Sequence, residues 1–166
     1  MTVAVYAGTF DPITNGHLDV AIRAAKIFDK VIIGVYDTPV NKRLLFNTQE
    51  RVALAKEATK DIPNIKVLPF TGLVVDFAEK VGAQTIVRGL RMSADFEREF
   101  EMALMNKQLR PDLELVCLMS NLQYQFLSSS LLKEAACLGG NVEDMVPSNV
   151  WKALKQKLQG KKPADI

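Results

Sequence analysis

The sequence predicts an α/β fold, a five-stranded parallel, doubly wound (Rossmann-like) sheet with a helix at its C-terminus. Three observations carry this. Five short, β-rich apolar runs recur along the chain: VAVYA (3–7), KVIIGVY (30–36), IKVLPF (65–70), QTIVRG (84–89) and LELVCLM (113–119). They read as continuous apolar runs, as strands buried on both faces do. Stretches with helical spacing separate them, and strict alternation of strand and helix is the order of a parallel sheet with crossover helices.

Each helix has its own signals. After the first strand, Leu18, Ala21, Ile22 and Ala25 recur at i, i+3, i+4 and i+7, the spacing of one buried helical face. Thr14 or Asn15 can cap it. The second helix opens at NTQER, where Asn47 caps and Glu50 closes a capping box. The third runs from about Leu73 to Val81 and ends at Gly82, a good C-cap residue. The fourth extends from roughly Ser93 to Leu109 and stops before Pro111. Its mixed-charge run DFEREFE (95–101) reads as a solvated face. A fifth begins in SSSLLKEAA, and the last covers about Ser148 to Leu158. No strand follows it, so it packs on the outside. Residues 1–158 form the expected single domain, and 159–166 read as a frayed tail.

Composition sets limits. The chain has 166 residues, 48% of them hydrophobic, enough to bury a real core. A net charge of +2 demands neither nucleic acid nor a membrane surface as partner. No apolar run approaches the ~20 residues that span a bilayer. The N-terminus lacks the features of a signal peptide. Cys117 and Cys137 form no metal-spaced set, and reduced thiols in a cytoplasmic protein are expected.

In doubly wound sheets, ligands bind beyond the carboxyl ends of the strands where the winding reverses. The segments after the five strands are 8–17, 37–45, 70–74, 88–91 and 119–130, and they should meet at one edge. The first is GTFDPITNGH, which ends on the only histidine in the chain. Gly8 permits a tight turn. Capping by Thr14 or Asn15 places Gly16 and His17 in the first turn of a helix, where free N–H groups and partial positive charge suit a phosphate. The same end disfavours imidazolium, so His17 should be a neutral donor when no anion is bound; a bound phosphate pushes the other way. Taken alone, His17 could equally be a surface histidine. Lys42 and Arg43 lie on the second segment; Arg43 reads as a solvated charge. Arg88 ends an apolar strand, an awkward place unless it holds an anion; that reading is preferred to a structural ion pair. Three serines, Ser128 to Ser130, open the fifth helix and offer a cap and several donors. A Walker loop, GxGxxG and GxSxG are all absent. A chemistry needing only cations and donors around a phosphate fits this inventory.

These residues carry a resemblance. Thr14-Asn15-Gly16-His17 resembles the (T/H)xGH motif of the nucleotidylyltransferase superfamily. With IVRGLR, DFEREFE and FLSSSLLKE in this order, the chain from Met1 to about Leu158 is similar to the bacterial phosphopantetheine adenylyltransferase family. The resemblance implies transfer of AMP from ATP to 4′-phosphopantetheine, giving dephospho-coenzyme A and pyrophosphate, with Mg²⁺. It implies that His17, Lys42 and Arg91 are catalytic. ATP would be held by Thr9, Phe10, His17, Gly89, Leu90, Arg91, Glu99, Tyr124, Gln125, Phe126, Leu127, Ser128, Ser129 and Ser130. The pantetheine substrate would be held by Thr9, Lys42, Val74 and Arg88. It also implies a homohexamer, with coenzyme A as a possible feedback ligand and no nucleic-acid or membrane partner; the fourth helix and LVCLM are the candidate interfaces. The chain departs from the family pattern at 38–46, so Lys42 and Arg43 could exchange roles, and at Arg98, where tyrosine is usual. Alternatives are another adenylyl- or cytidylyltransferase of the superfamily and a nucleotide-binding module without turnover.

Overall fold

A computed structural model describes residues 1–39 and 43–161. The five apolar runs become β1 (Val3–Gly8), β2 (Lys30–Tyr36), β3 (Ile65–Phe70), β4 (Thr85–Leu90) and β5 (Glu114–Met119). The helices are α1 (Asn15–Ile27), α2 (Thr48–Ala58), α3 (Val74–Lys80), α4 (Ser93–Leu109), α5 (Ser129–Cys137) and α6 (Ser148–Leu158). All strands pair in parallel in the order β3-β2-β1-β4-β5. The chain winds outward from β1 through β2 to β3, then returns to the other side of β1 for β4 and β5. The reversal therefore lies between β1 and β4, as a doubly wound sheet requires.

Register shows where the crevice opens. β1 pairs with β2 over its whole length, from Val3↔Lys30 to Gly8↔Val35. With β4 it pairs only from Ala4↔Thr85 to Tyr6↔Val87. Beyond Tyr6 and Val87 the two strands part, and their carboxyl ends form the walls of a cleft.

Side chains alternate across the sheet, and each face has its own core. Ala4, Tyr6, Val31, Ile33 and Val35 meet Val20, Ala21 and Ala24 of α1 and Val150 and Leu154 of α6. Val3, Val5, Ala7 and Ile32 meet Val75, Phe77 and Ala78 of α3. Gly34 makes the second layer possible, because a Cβ there would sit 2.7 Å from the Phe77 ring.

Helix boundaries follow the capping signals. The Asn47 side chain accepts from the Glu50 N–H and the Glu50 carboxylate accepts from the Asn47 N–H, the expected box at the start of α2. Gly82 adopts a φ of 69° just after α3. Burial on both faces holds for β1 and β2 but not for β3 and β5, which are edge strands with several solvent-facing positions. Two short 3₁₀ turns, at Leu122–Tyr124 and Glu143–Met145, carry no periodic signal and go beyond the expected elements. The two cysteines are free. Among the described residues, no helix is long and apolar enough to cross a membrane. Of the expected tail, residues 162–166 lie outside the described part.

Candidate active site

The cleft between β1 and β4 widens into a cavity of about 720 Å³, a size suited to a nucleotide-scale ligand. Its first wall is the turn after β1. A Cβ on Gly8 would lie 3.0 Å from the Phe10 ring, so glycine is what lets that ring fold back. Phe10 itself has φ 49°, a left-handed conformation that bulky residues rarely adopt and that clusters at functional turns. Tyr6 and His17 hold its ring edge-on, at centroid distances of 5.3 and 5.1 Å.

Thr14 is the N-cap of α1. Its hydroxyl accepts from the His17 N–H at 3.3 Å, and its own N–H donates to His17 Nδ1 at 3.1 Å. This is a capping box in which histidine takes the place usual for Glu or Gln. Because Nδ1 accepts a backbone N–H, the ring's proton sits on Nε2. The capping box thus orients the His17 ring, which lines the cavity.

A second helix start faces the same space. Ser128 caps α5 by accepting from the Leu131 N–H at 3.2 Å. Ser129 Oγ donates to the Pro12 carbonyl at 2.8 Å and so ties α5 to the turn after β1. Ser128, Ser129, Ser130, Gly16 and His17 all line the cavity. Two positive helix ends converge on it, an arrangement suited to phosphate groups.

The cavity's cations are mostly paired. Arg88 donates from Nε (2.9 Å) and Nη2 (2.7 Å) to the two oxygens of Glu99, and from Nη1 to the Ala7 carbonyl at 2.6 Å. That carbonyl lies beyond the last β1–β4 pair, so the side chain completes what the ladder leaves open. The preference for Arg88 as an anion holder over an ion pair is corrected to this extent: the structure answers its charge within the chain. Burial works against the Arg88 charge, but the Glu99 carboxylate outweighs it and raises the guanidinium pKa. Arg91 binds Asp95 (Nε to Oδ2, 3.0 Å) and the Leu127 carbonyl (2.8 Å). Burial would raise the Asp95 pKa, but the Arg91 bonds win and lower it. Burial also drives the Tyr6 phenol far above its ordinary pKa, so it stays neutral at the cavity floor.

The structure gathers most of the expected site. Thr9, Phe10, His17, Arg88, Gly89, Arg91, Glu99, Tyr124, Leu127 and the three serines line one cavity. Leu90 is buried and does not line it, and Gln125 and Phe126 are exposed and stand apart from it. Val74, in the first turn of α3, packs on the second core layer. Segment 70–74 stays away because β3 is the sheet's edge, two strands from the reversal. Lys42 lies outside the described residues; its neighbour Arg43 lines the cavity, with Leu44.

Sequence reading missed Asp11, Lys133 and Arg51. Lys133 Nζ donates to Asp11 Oδ2 at 2.6 Å, and both line the cavity while largely buried, at 8% and 4% exposure. Asp11 falls inside the motif GTFDPITNGH, but nothing in sequence marks a carboxylate as buried. Arg51 does carry a signal: it shares the inward face of α2 with Ala55 at i+4, where a charge is out of place.

A model of the cytidylyltransferase-like family matches residues 5–135, which defines the class. A phosphopantetheine adenylyltransferase of Roseiflexus sp. (strain RS-1) is 53% identical over 156 residues, covering 94% of this chain and 97% of its own. One of Thermomicrobium roseum is 52% identical over 158 residues, with 94% and 95% covered. One of Caldanaerobacter subterraneus is 51% identical over 159, with 96% and 99% covered. The chain belongs to the cytidylyltransferase-like family and, within it, to the phosphopantetheine adenylyltransferases.

Proposed function

We propose that this chain transfers the adenylyl group of ATP to 4′-phosphopantetheine, giving dephospho-coenzyme A and pyrophosphate in coenzyme A synthesis. Family membership supports the reaction. The observation that carries it in the structure is the neutral His17 donor, held by a capping box between two helix N-termini.

The reaction is a direct displacement. An oxygen of the substrate phosphate attacks the α-phosphorus of ATP in line. The bond from that phosphorus to the bridging oxygen breaks, and its electron pair leaves with pyrophosphate. The attacking phosphate is already ionised near neutral pH, so no general base is required. The chain's part is positioning and stabilisation of charge on the pentavalent centre. His17 Nε2–H faces the α-phosphate, and Arg91 and the N-terminus of α5 hold the remaining ATP phosphates. Thr9, Phe10, Gly89 and Tyr124 shape the nucleotide site; Leu90 and Glu99 act behind it. Lys42 or Arg43 holds the attacking phosphate. The pantetheine arm extends from Arg88 past the cavity toward Val74.

Mg²⁺ fits as part of the nucleotide substrate and not as a protein-held ion. Among the described residues no cluster of three potential ligands exists, and Asp11, Asp95 and Glu99 each already hold a cation of the chain. Phosphate oxygens and water would then supply its ligands. The exposed apolar side chains of α4, among them Phe96, Phe100, Met102 and Leu104, support the homohexamer as the working assembly. Cytoplasmic location and feedback by coenzyme A complete the proposal.

Pyrophosphate release with ATP and Mg²⁺ tests it, comparing 4′-phosphopantetheine, pantetheine, nicotinate mononucleotide and glycerol phosphate. Turnover with 4′-phosphopantetheine alone is expected. Turnover with another acceptor overturns the substrate, and ATP binding without any turnover overturns the enzyme.

A further inference from the structure

A polar knot lies beside the cavity, and the reaction as described does not use it. At its centre is Arg51, which is fully buried. Its Nε donates to the Phe46 carbonyl at 3.1 Å. Nη1 donates to the carbonyls of Thr9 (2.8 Å) and Tyr36 (2.6 Å), and Nη2 to the Asp37 carbonyl (2.8 Å) and Thr48 Oγ1 (3.0 Å). Those five bonds use all five N–H groups of a guanidinium. None remains for a ligand, so any effect of Arg51 on the reaction runs through the segments it holds.

Asp11 makes the complementary half. Its Oδ2 accepts from the Leu45 N–H at 2.9 Å and from Lys133 Nζ, and its Oδ1 accepts from the Phe46 N–H at 2.8 Å. Arg51 thus grips the segment after β2 at its start, Tyr36–Asp37, and at its end, Phe46. Asp11 grips the end again. Through Thr9 and Asp11 themselves, both grips are referred to the turn that carries the phosphate-facing wall. Arg43 and Leu44, just before the held pair Leu45–Phe46, line the cavity.

Burying charges of this kind is costly, and a well-packed apolar side chain often stabilises as well or better. Burial indeed lowers the Arg51 pKa, against the pull of Asp11 and Asp37. What apolar residues could not supply is directional fastening of three separate segments to one another. We propose that Arg51 and Asp11 are positioning residues for adenylyl transfer, fixing Tyr36–Asp37 and Leu45–Phe46, and through the latter Arg43 at the cavity, against the turn that carries Thr9 and His17.

The role rests on the transfer reading above, so the test has a readout that does not depend on it. Amide hydrogen exchange at Leu45 and Phe46 is measured in the full chain for wild type, Asp11→Asn and Arg51→Lys. Alongside it go kcat, KM for 4′-phosphopantetheine, and ATP affinity by calorimetry. Both variants are expected to speed exchange at Leu45 and Phe46 by at least about tenfold. They should lower kcat by about 10²-fold, the scale of a 1 Å misplacement of reacting groups, and raise KM for 4′-phosphopantetheine, with ATP affinity changed less than about threefold. A purely structural role predicts otherwise: a lower melting temperature with kcat unchanged, or losses of kcat and ATP affinity in equal proportion. Either result overturns the proposal. Should neither variant fold, Thr48→Val, which removes one Arg51 acceptor, is measured in the same way, and the same results support or overturn the role. If wild type uses a different acceptor, kcat and KM are compared with that one and the criteria are unchanged. If wild type turns over no acceptor, the transfer reading fails and the positioning role with it, while the exchange rates still decide whether the clamp exists.

Discussion

His17 has two jobs in the structure, and they can be separated. Its Nδ1 closes the α1 capping box by accepting from the Thr14 N–H, and its ring lines the cavity, where the proposed transfer uses it as a donor. His17→Ala removes both. The Thr14 hydroxyl still caps the residue-17 N–H, so the loss of the box costs only about 1 kcal/mol of stability, within the range for helix caps. Loss of a donor aimed at developing charge costs about 2.7–4 kcal/mol in the transition state, or about 10²–10³ in kcat. His17→Gln separates the two. Glutamine is a standard partner at the third position of a Thr-capped helix, so it restores the box without the imidazole. The assay is pyrophosphate release at saturating substrates, with urea unfolding and ATP calorimetry on the same samples. Expected are near-wild-type stability for His17→Gln, kcat still about 10²-fold down, and ATP affinity little changed, since the interaction is made chiefly in the transition state. If His17→Gln recovers kcat together with stability, His17 acts through the helix cap and the catalytic assignment is wrong.

Gly34→Ala should destabilise the fold by about 1–3 kcal/mol, because its Cβ would meet Phe77 at 2.7 Å and Phe70 at 3.2 Å; thermal melting reads this, and KM for both substrates should not move. Glu99→Gln breaks the two-bond pair with Arg88. A fully buried pair would lose about 3–5 kcal/mol; Arg88 is about a third open to the cavity, so about 2 kcal/mol is expected by urea unfolding. Acid should weaken the protein through Asp95, whose folded pKa lies below its ordinary 3.8 because of Arg91. Its contribution is complete above that value and is lost as pH falls through the lower folded one. Arg91→Gln should therefore flatten the loss of stability below about pH 4, and an unchanged slope would refute the pairing.

Local signals are legible in the sequence, and long-range pairings are not. The Asn47–Glu50 box follows from capping, and the end of α4 from the proline that comes after it. The convergence of Gly8–His17, Arg88–Arg91 and Ser128–Ser130 on one cavity follows from winding order alone. Partners are the blind spot. Asp11 and Lys133 are 122 residues apart, and Arg51 reaches Thr9 across 42; no local pattern links them. The Arg88–Glu99 pair, 11 residues apart, is within reach, yet the mixed charge of DFEREFE suggests a solvated face and hides Glu99, the member that turns inward. Edge exposure is invisible for a related reason: KVIIGVY and IKVLPF look alike, and only strand order makes one central and the other an edge.

The pairing of the cavity's charges bears on how it works. Arg88, Arg91 and Lys133 each come with a carboxylate, Glu99, Asp95 and Asp11. A phosphate entering the site competes with those carboxylates, so these cations lend the wall fixed geometry more than raw attraction. The helix ends differ. α2, α3 and α4 carry Glu50, Asp76 and Asp95 in their first turns, where acidic groups offset the positive end of the helix dipole. α1 and α5, whose starts line the cavity, carry none there, as is also true of α6 away from it, while the α4 start at the cavity has its Asp95 tied to Arg91. The partial charges of α1 and α5 are left for the ligand. Attraction by partial charges and preset donors, with these three cations paired, suits a transfer reaction. Uncompensated arginines would hold ATP and pyrophosphate as tightly as the pentavalent state and would gain no rate. Donors fixed at the place where charge develops favour that state selectively. His17 extends the same logic, since the Thr14 N–H that points at its Nδ1 keeps the ring a neutral donor and adds no full charge to the α1 end.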